Sequence, residues 1–204
     1  MTSRRHFLAT FAALLPLPAA AQAPLGVVHE LVGDVALNDV PLTRQSALQA
    51  GQTIRTGADG RVWFSIGSDA YFLRPNSRLR LDASRPREPI IDFLRLVTGA
   101  LGATFQRGMR RTLIAPTATI GIRGTGVYLE AAPEVAYFCT CFGSTEILAP
   151  SGSMLQNVAV TTENHQARMM MSGMRIVPAG FERHTNEEIA RLESLVGRPN
   201  PFQR

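Results

Sequence analysis

Residues 53–66 read Thr53-Ile-Arg-Thr-Gly-Ala-Asp-Gly-Arg-Val-Trp-Phe-Ser-Ile66. Two runs rich in β-branched and aromatic residues flank Asp59-Gly60, a dipeptide that accepts the positive φ angles of a tight hairpin turn. The pattern repeats on both sides. Gly67-Ser68-Asp69 turns the chain into Ala70-Tyr-Phe-Leu73, and Pro75-Asn76-Ser77 turns it into Arg78-Leu-Arg-Leu-Asp82. This last run alternates strictly, with Leu79 and Leu81 on one face and Arg78 and Arg80 on the other, as in a half-buried strand. Upstream, Val35-Ala-Leu37, Asn38-Asp39 and Val40-Pro-Leu42 form a further hairpin pattern. Downstream, strand-like runs continue at 90–96, 101–105, 113–114, 125–129, 135–142 and 146–148. Short strands at this spacing predict an all-β fold, stacked in a solenoid-like or sandwich-like manner.

The composition agrees. The chain has 204 residues, 45% of them hydrophobic, with 17 glycines and 13 prolines. It is long enough to bury a core and too apolar for disorder, and its turns are too frequent for a helical bundle. All 21 basic residues are arginine and the formal net charge is +5. One helix is predicted, at 186–196. Thr185-Asn-Glu-Glu188 is a capping box, Ile189, Leu192 and Val196 recur at helical spacing, and Gly197 and Pro199 end the segment. Its single apolar stripe should dock on the sheet.

The chain opens with Arg4 and Arg5 ahead of an apolar run from Phe7 to Leu17 and then small residues. This order is that of a secretory signal peptide, residues 1–21, cleaved after Ala21 in preference to Ala23 because Pro24 follows the second frame. Ser3-Arg-Arg-His-Phe-Leu8 also fits the twin-arginine export motif. The apolar run is about a dozen residues, short of the roughly 20 that span a bilayer, so no permanent transmembrane anchor is expected. The expected destination is the periplasm.

Three motifs carry a family resemblance: Gly51-Gln-Thr-Ile-Arg-Thr-Gly-Ala-Asp-Gly-Arg61, Leu73-Arg-Pro-Asn-Ser-Arg-Leu79 and Thr117-Ala-Thr-Ile-Gly-Ile-Arg-Gly-Thr-Gly126. In order and spacing the stretch 33–148 resembles the FecR domain, a periplasmic module named after an iron-dicitrate regulator. The resemblance implies a β domain over 26–150, with 151–204 as a C-terminal extension packed on it. It marks Gly57, Gly60, Pro75, Gly121, Arg123, Gly124 and Thr125 as motif positions. The glycines read as sites of positive φ or close backbone approach, and Arg123 as a structural arginine bonding loop carbonyls or a carboxylate. The founding regulators span the membrane and control a sigma factor through a cytoplasmic segment. Here the one long apolar run reads as cleavable, so the expected role is a periplasmic protein-interaction or sensing module with a periplasmic or membrane-associated protein as partner.

Candidate chemistry is confined to a few residues. Cys139-Thr-Cys141 places two thiols on one face of a strand. Three readings stay open: a disulfide or redox pair, which an extended strand makes awkward; a soft-metal site completed by His165 or His184; or two inert core residues. Either of the first two would make the chain a small periplasmic thiol-dependent metal-binding or redox protein, the alternative to an interaction module. Met169-Met-Met-Ser-Gly-Met174 offers thioethers suited to copper(I), but consecutive strand residues face opposite ways, so core filler is the expected role. His29 and His184 read as surface or hydrogen-bonded residues. Gly121-Ile-Arg-Gly-Thr-Gly126 lacks the strand-turn-helix context of a phosphate cradle. No nucleophile with its base and no convergent carboxylate pair stands out, so the chain is expected to be non-enzymatic and without a required cofactor. Arg78, Arg80, Arg85 and Arg87, and Arg107, Arg110 and Arg111, read as solvated strand faces, and no nucleic-acid partner is expected.

Overall fold

The computed structural model describes residues 26–84, 91–148, 157–172 and 176–203. The predicted signal peptide, Arg85, Arg87 and Met174 lie outside them. The described residues form fourteen strands in one mixed sheet that does not close on itself, followed by a helix. The strands are β1 (Gly26–Val32), β2 (Val35–Leu37), β3 (Val40–Pro41), β4 (Thr53–Thr56), β5 (Arg61–Ile66), β6 (Asp69–Leu73), β7 (Arg78–Asp82), β8 (Phe93–Thr104), β9 (Arg110–Ala115), β10 (Ala118–Ala131), β11 (Val135–Leu148), β12 (Val158–Thr162), β13 (Gln166–Met171) and β14 (Ile176–Ala179). The helix is α1 (Asn186–Leu195). The all-β fold with one C-terminal helix is therefore as the sequence predicts.

The three longest strands, β8, β10 and β11, each serve two leaves of the sheet. One leaf runs β1-β5-β6-β8-β10-β11-β13-β14 through the later part of β8 and β10 and the start of β11. The other runs β3-β2-β4-β7-β8-β9-β10-β11-β12 through the opposite ends of the same strands. Every pairing is antiparallel except β8 with β9. The result follows the sandwich-like alternative. Sequence patterning divides β8 and β11 in two and reaches only the second half of β10, because the glycines read as turns. In the structure these glycines bend a continuous strand: Gly124 takes φ +63° in β10 and Gly143 φ +86° in β11, values that only glycine adopts cheaply. Thr125 braces the bend, donating its hydroxyl to the Ser144 carbonyl at 2.9 Å and accepting from the Ser144 amide at 3.2 Å. A Cβ at Gly124 would also lie 2.6 Å from Arg107 Cα. Gly124→Ala is accordingly expected to cost about 1–3 kcal/mol, read as a lowered Tm. An unchanged Tm would show that the bend does not depend on this residue.

The two leaves enclose one core, with Phe64, Tyr71, Leu73, Leu101, Val127 and Phe138 from the first leaf meeting Ile54, Leu79, Leu94, Leu113, Ile120 and Ile147 from the second. Strand alternation leaves the first leaf a second apolar face, formed by Trp63, Phe72, Tyr128, Tyr137, Cys139 and Cys141. α1 covers it with Ile189 and Leu192, both fully buried. The capping box is present: Thr185 accepts from the Glu188 amide, and the Glu188 carboxylate accepts from the Thr185 amide at 3.0 Å. Val196 is the C-cap, so the helix ends one residue before the predicted boundary. Arg74 fastens the helix to the sheet, donating to both Glu188 oxygens at 2.7 and 3.0 Å and to the Tyr128 hydroxyl at 3.1 Å.

One expected pairing does not form. Asp59-Gly60 does not close a hairpin, because β4 pairs with β2 and β7 while β5 pairs with β1 and β6. The turn instead carries the chain from one leaf to the other and packs on Asp34. The Gly57 amide donates to the Asp34 carbonyl at 2.8 Å, and a Cβ at Gly60 would lie 2.0 Å from that carbonyl oxygen. The hairpins at Asn38-Asp39 and Gly67-Ser68 form as read.

Candidate functional site

Strand β11 brings Tyr137, Cys139 and Cys141 to the outer face of the first leaf, as the period-two reading requires. Both cysteines are free and fully buried. Two histidines from other elements meet them there. His165 sits on the turn between β12 and β13, at φ +20°, and its backbone amide donates to the Cys141 carbonyl at 3.0 Å. His184 immediately precedes the N-cap of α1 and is 5% exposed. The structure thus brings together Cys139, Cys141 and His165, and it adds His184 beside His165 rather than in its place. One ligand atom from each of the four residues lies within 4.8 Å of all the others. His184 is hydrogen-bonded and not on the surface, because the chain entering the helix folds back over β11.

The contacts are specific. His165 Nδ1 lies 3.6 Å from Cys139 Sγ, and His184 Nε2 lies 3.2 Å from Cys141 Sγ. On its other side, His165 Nε2 meets Asn186 Oδ1 at 2.6 Å. Asn186 Oδ1 thus takes up the outer ring nitrogen, Nε2, and leaves Nδ1 as the ring atom facing Cys139 Sγ. The His165 ring stacks on Phe181 at 3.8 Å and on Phe202 at 5.0 Å between centroids. The His184 ring stacks on Tyr128 at 4.5 Å. Its Nδ1 is buried without a hydrogen-bond partner among the described residues.

The electrostatics separate the two thiols. Cys139 is drawn down to about 4, first by the hydrogen bond from Cys141 and further by His165 and His184, against the opposing effect of burial. Cys141 is pushed well up, chiefly by burial. Two neighbouring sulfurs, one of them drawn toward the thiolate, make a soft donor pair. Two sulfurs and two imidazole nitrogens form a donor set for a borderline-soft cation.

The remaining sequence candidates fall elsewhere. Met170 is buried in the core between the leaves while Met169 faces the helix side, so these methionines diverge as alternation predicts. His29 shares a hydrogen bond with the Ser65 hydroxyl at 2.8 Å. Among the motif positions, Gly57, Gly60, Gly124 and Thr125 hold turns and bends. Pro75 opens the turn whose Ser77 hydroxyl donates to the Arg74 carbonyl at 2.8 Å. Two expectations are corrected. Gly121 lies mid-strand, where a Cβ would come no closer than 3.8 Å to its neighbours, so it needs neither positive φ nor close approach. Arg123 is exposed and makes no side-chain hydrogen bond among the described residues, because alternation turns it to the solvated face beside Arg110. Of the arginine groups, Arg80 pairs with Asp82 at 2.8 Å and Arg111 with Asp69 at 2.8 Å. Asn186, Phe181 and Phe202 had no signal in the sequence beyond the proximity of Asn186 to the capping box.

No protein-family model matches the chain, and no curated protein does. Two crystal structures of a "putative anti-sigma factor" from Parabacteroides distasonis share the fold. One aligns with TM-score 0.51 at 10% identity over 69% of this chain and 64% of that one. The other aligns with TM-score 0.52 at 10% identity over 64% and 60%. The chain therefore spans less than two thirds of the length of either, and what the three chains share is the β architecture.

Proposed function

We propose that this chain is an exported, non-enzymatic FecR-like domain protein that works in the periplasm as a protein-interaction or sensing module. The observation that carries the reading is the joint placement of its motifs in an anti-sigma-like β fold. The Gly51–Arg61 and Leu73–Leu79 motifs make two of the crossings between leaves, β4 to β5 and β6 to β7, and the Thr117–Gly126 motif forms the bend of β10. Motif residues spent on shaping the sheet leave the outer face of the second leaf and the sheet edges as the working surface, and such a module acts by holding a partner. Partners of this kind are periplasmic or membrane-associated proteins. The leader supports export, and its basic head, short apolar run and small-residue end fit removal after Ala21.

The test is a tagged full-length chain expressed in its source bacterium, fractionated and cross-linked. The expected result is a periplasmic species beginning at Gln22 that captures the same partner in replicate extracts. A cytoplasmic, uncleaved chain, or a periplasmic one that captures nothing reproducibly, would overturn the reading.

A further inference from the structure

We propose that Cys139, Cys141, His165 and His184 form a mononuclear zinc site that clamps the approach to α1 onto strand β11. Zinc takes thiolate at about 2.3 Å and imidazole nitrogen at about 2.0–2.1 Å in tetrahedral geometry, which sets donor atoms about 3.3–3.8 Å apart. Two of the donor pairs already lie near these spacings, at 3.6 Å for Cys139–His165 and 3.2 Å for Cys141–His184. The remaining donor pairs lie within 4.8 Å, so the four side chains must close in on a central ion by about 1 Å at most. A two-iron cluster needs its ligands spread over two metals, and four donors all within 4.8 Å of one another are too close for it.

The bland alternative, a satisfied apolar core, accounts poorly for the same atoms. A buried core histidine normally has both ring nitrogens hydrogen-bonded. Among the described residues His184 has one nitrogen without a partner and the other facing a thiol, a weak partner. His165 carries the outer support that metal-bound histidines use: Asn186 fixes the outer nitrogen and aims the other at the sulfur. Four protein donors leave no open position for substrate or water, so the site is of the structural kind, not the hydrolytic kind. Its ligands come from β11, from the turn before β13 and from the residue before the α1 N-cap. Occupancy would therefore add a clamp at the helix N-terminus to the Arg74–Glu188, Arg183–Glu130 and Arg191–Glu30 pairs and the Ile189–Leu192 seam that already join helix and sheet.

The test begins with elemental analysis of the full-length protein purified without chelators, together with a thiol count. One zinc per chain is expected, released by a strong chelator with a lowered Tm and restored by adding zinc. Cobalt(II) added to the stripped protein should give the intense visible bands and the sulfur charge-transfer absorption of a tetrahedral thiolate site. His165→Gln, on a turn and only half-buried, should keep the β-sheet circular dichroism and lose the stoichiometric metal. Asn186→Ala, at a positioning residue, should weaken zinc binding about 10–100-fold while leaving the cobalt spectrum tetrahedral. Metal retained at full stoichiometry in His165→Gln would overturn the assignment. So would a weak octahedral cobalt spectrum, copper or iron in place of zinc, a metal-free protein that ignores added zinc, or a Cys139–Cys141 disulfide in the native chain.

Discussion

Arg111→Met is expected to cost the fold about 3–5 kcal/mol, a large share of the stability of a single domain. Asp69 opens β6 and its side chain is 2% exposed, while Arg111 in β9 is 10% exposed. The carboxylate accepts from Arg111 Nε at 2.8 Å and from the Gln106 amide at 2.8 Å. Because β6 belongs to one leaf and β9 to the other, the pair crosses the fold at its edge. Methionine preserves the length and much of the volume of arginine but leaves the buried carboxylate with a single hydrogen bond. The cost is thus that of an unpaired charge more than that of a lost attraction. Asp69→Asn/Arg111→Met removes both charges and keeps an acceptor for the Gln106 amide. This double variant should recover more than half of the loss, giving a large coupling in a urea-unfolding double-mutant cycle. If Arg111→Met falls within about 0.5 kcal/mol of the parent, as ordinary surface changes do, then the carboxylate is hydrated and the argument fails.

The same pair shows what a linear reading can and cannot reach. Alternation in Arg78-Leu-Arg-Leu-Asp82 identified a half-buried strand, and Leu79 and Leu81 are indeed fully buried while Arg78 and Arg80 are exposed. The capping box at Thr185 identified the helix start, because its whole signal lies within four residues. Which strand pairs with which is decided at longer range. Asp59-Gly60 carries the letters of a hairpin turn, yet its flanking strands run in the same sense relative to β8 and pack in different leaves, β4 on β2 and β7, β5 on β1 and β6. The bends of β10 and β11 were read as ends of strands, because a glycine at φ +63° and one that closes a turn are the same letter. Cys139 and Cys141 could be placed on one face because two residues of a strand define it. That both His165 and His184 would reach them could not, since it depends on the return of the chain after β14. For Asp69 and Arg111 nothing local distinguishes a buried ion pair from two surface charges.

Leu192→Asp is expected to free α1 from the sheet while leaving the two-leaf core folded. Leu192 and Ile189 are fully buried against Trp63, Phe72, Ala100 and Tyr128, on the face of the first leaf opposite the core. Even Leu192→Ala should cost about 2–5 kcal/mol if the site does not collapse. An aspartate there places a charge in an apolar seam with no cation built to meet it, so undocking is the cheaper response. A ten-residue helix does not persist alone in water, so the segment should lose helicity as it leaves. The chain has a single tryptophan, and Trp63 lies under this helix with the Arg191 guanidinium 4.3 Å above its ring. Its fluorescence therefore reports docking directly, and the variant should show red-shifted emission in native buffer while the far-ultraviolet signature of the strands persists. The separation follows from the burial pattern: Phe64, Tyr71, Leu101, Val127 and Phe138 point to the other side of the same strands and lose nothing when the helix departs. In denaturant, the strand signal should retain a cooperative transition after the tryptophan transition has vanished. Simultaneous loss of both signals would show instead that the helix and the two leaves form one cooperative unit, and that the seam under α1 is part of the core.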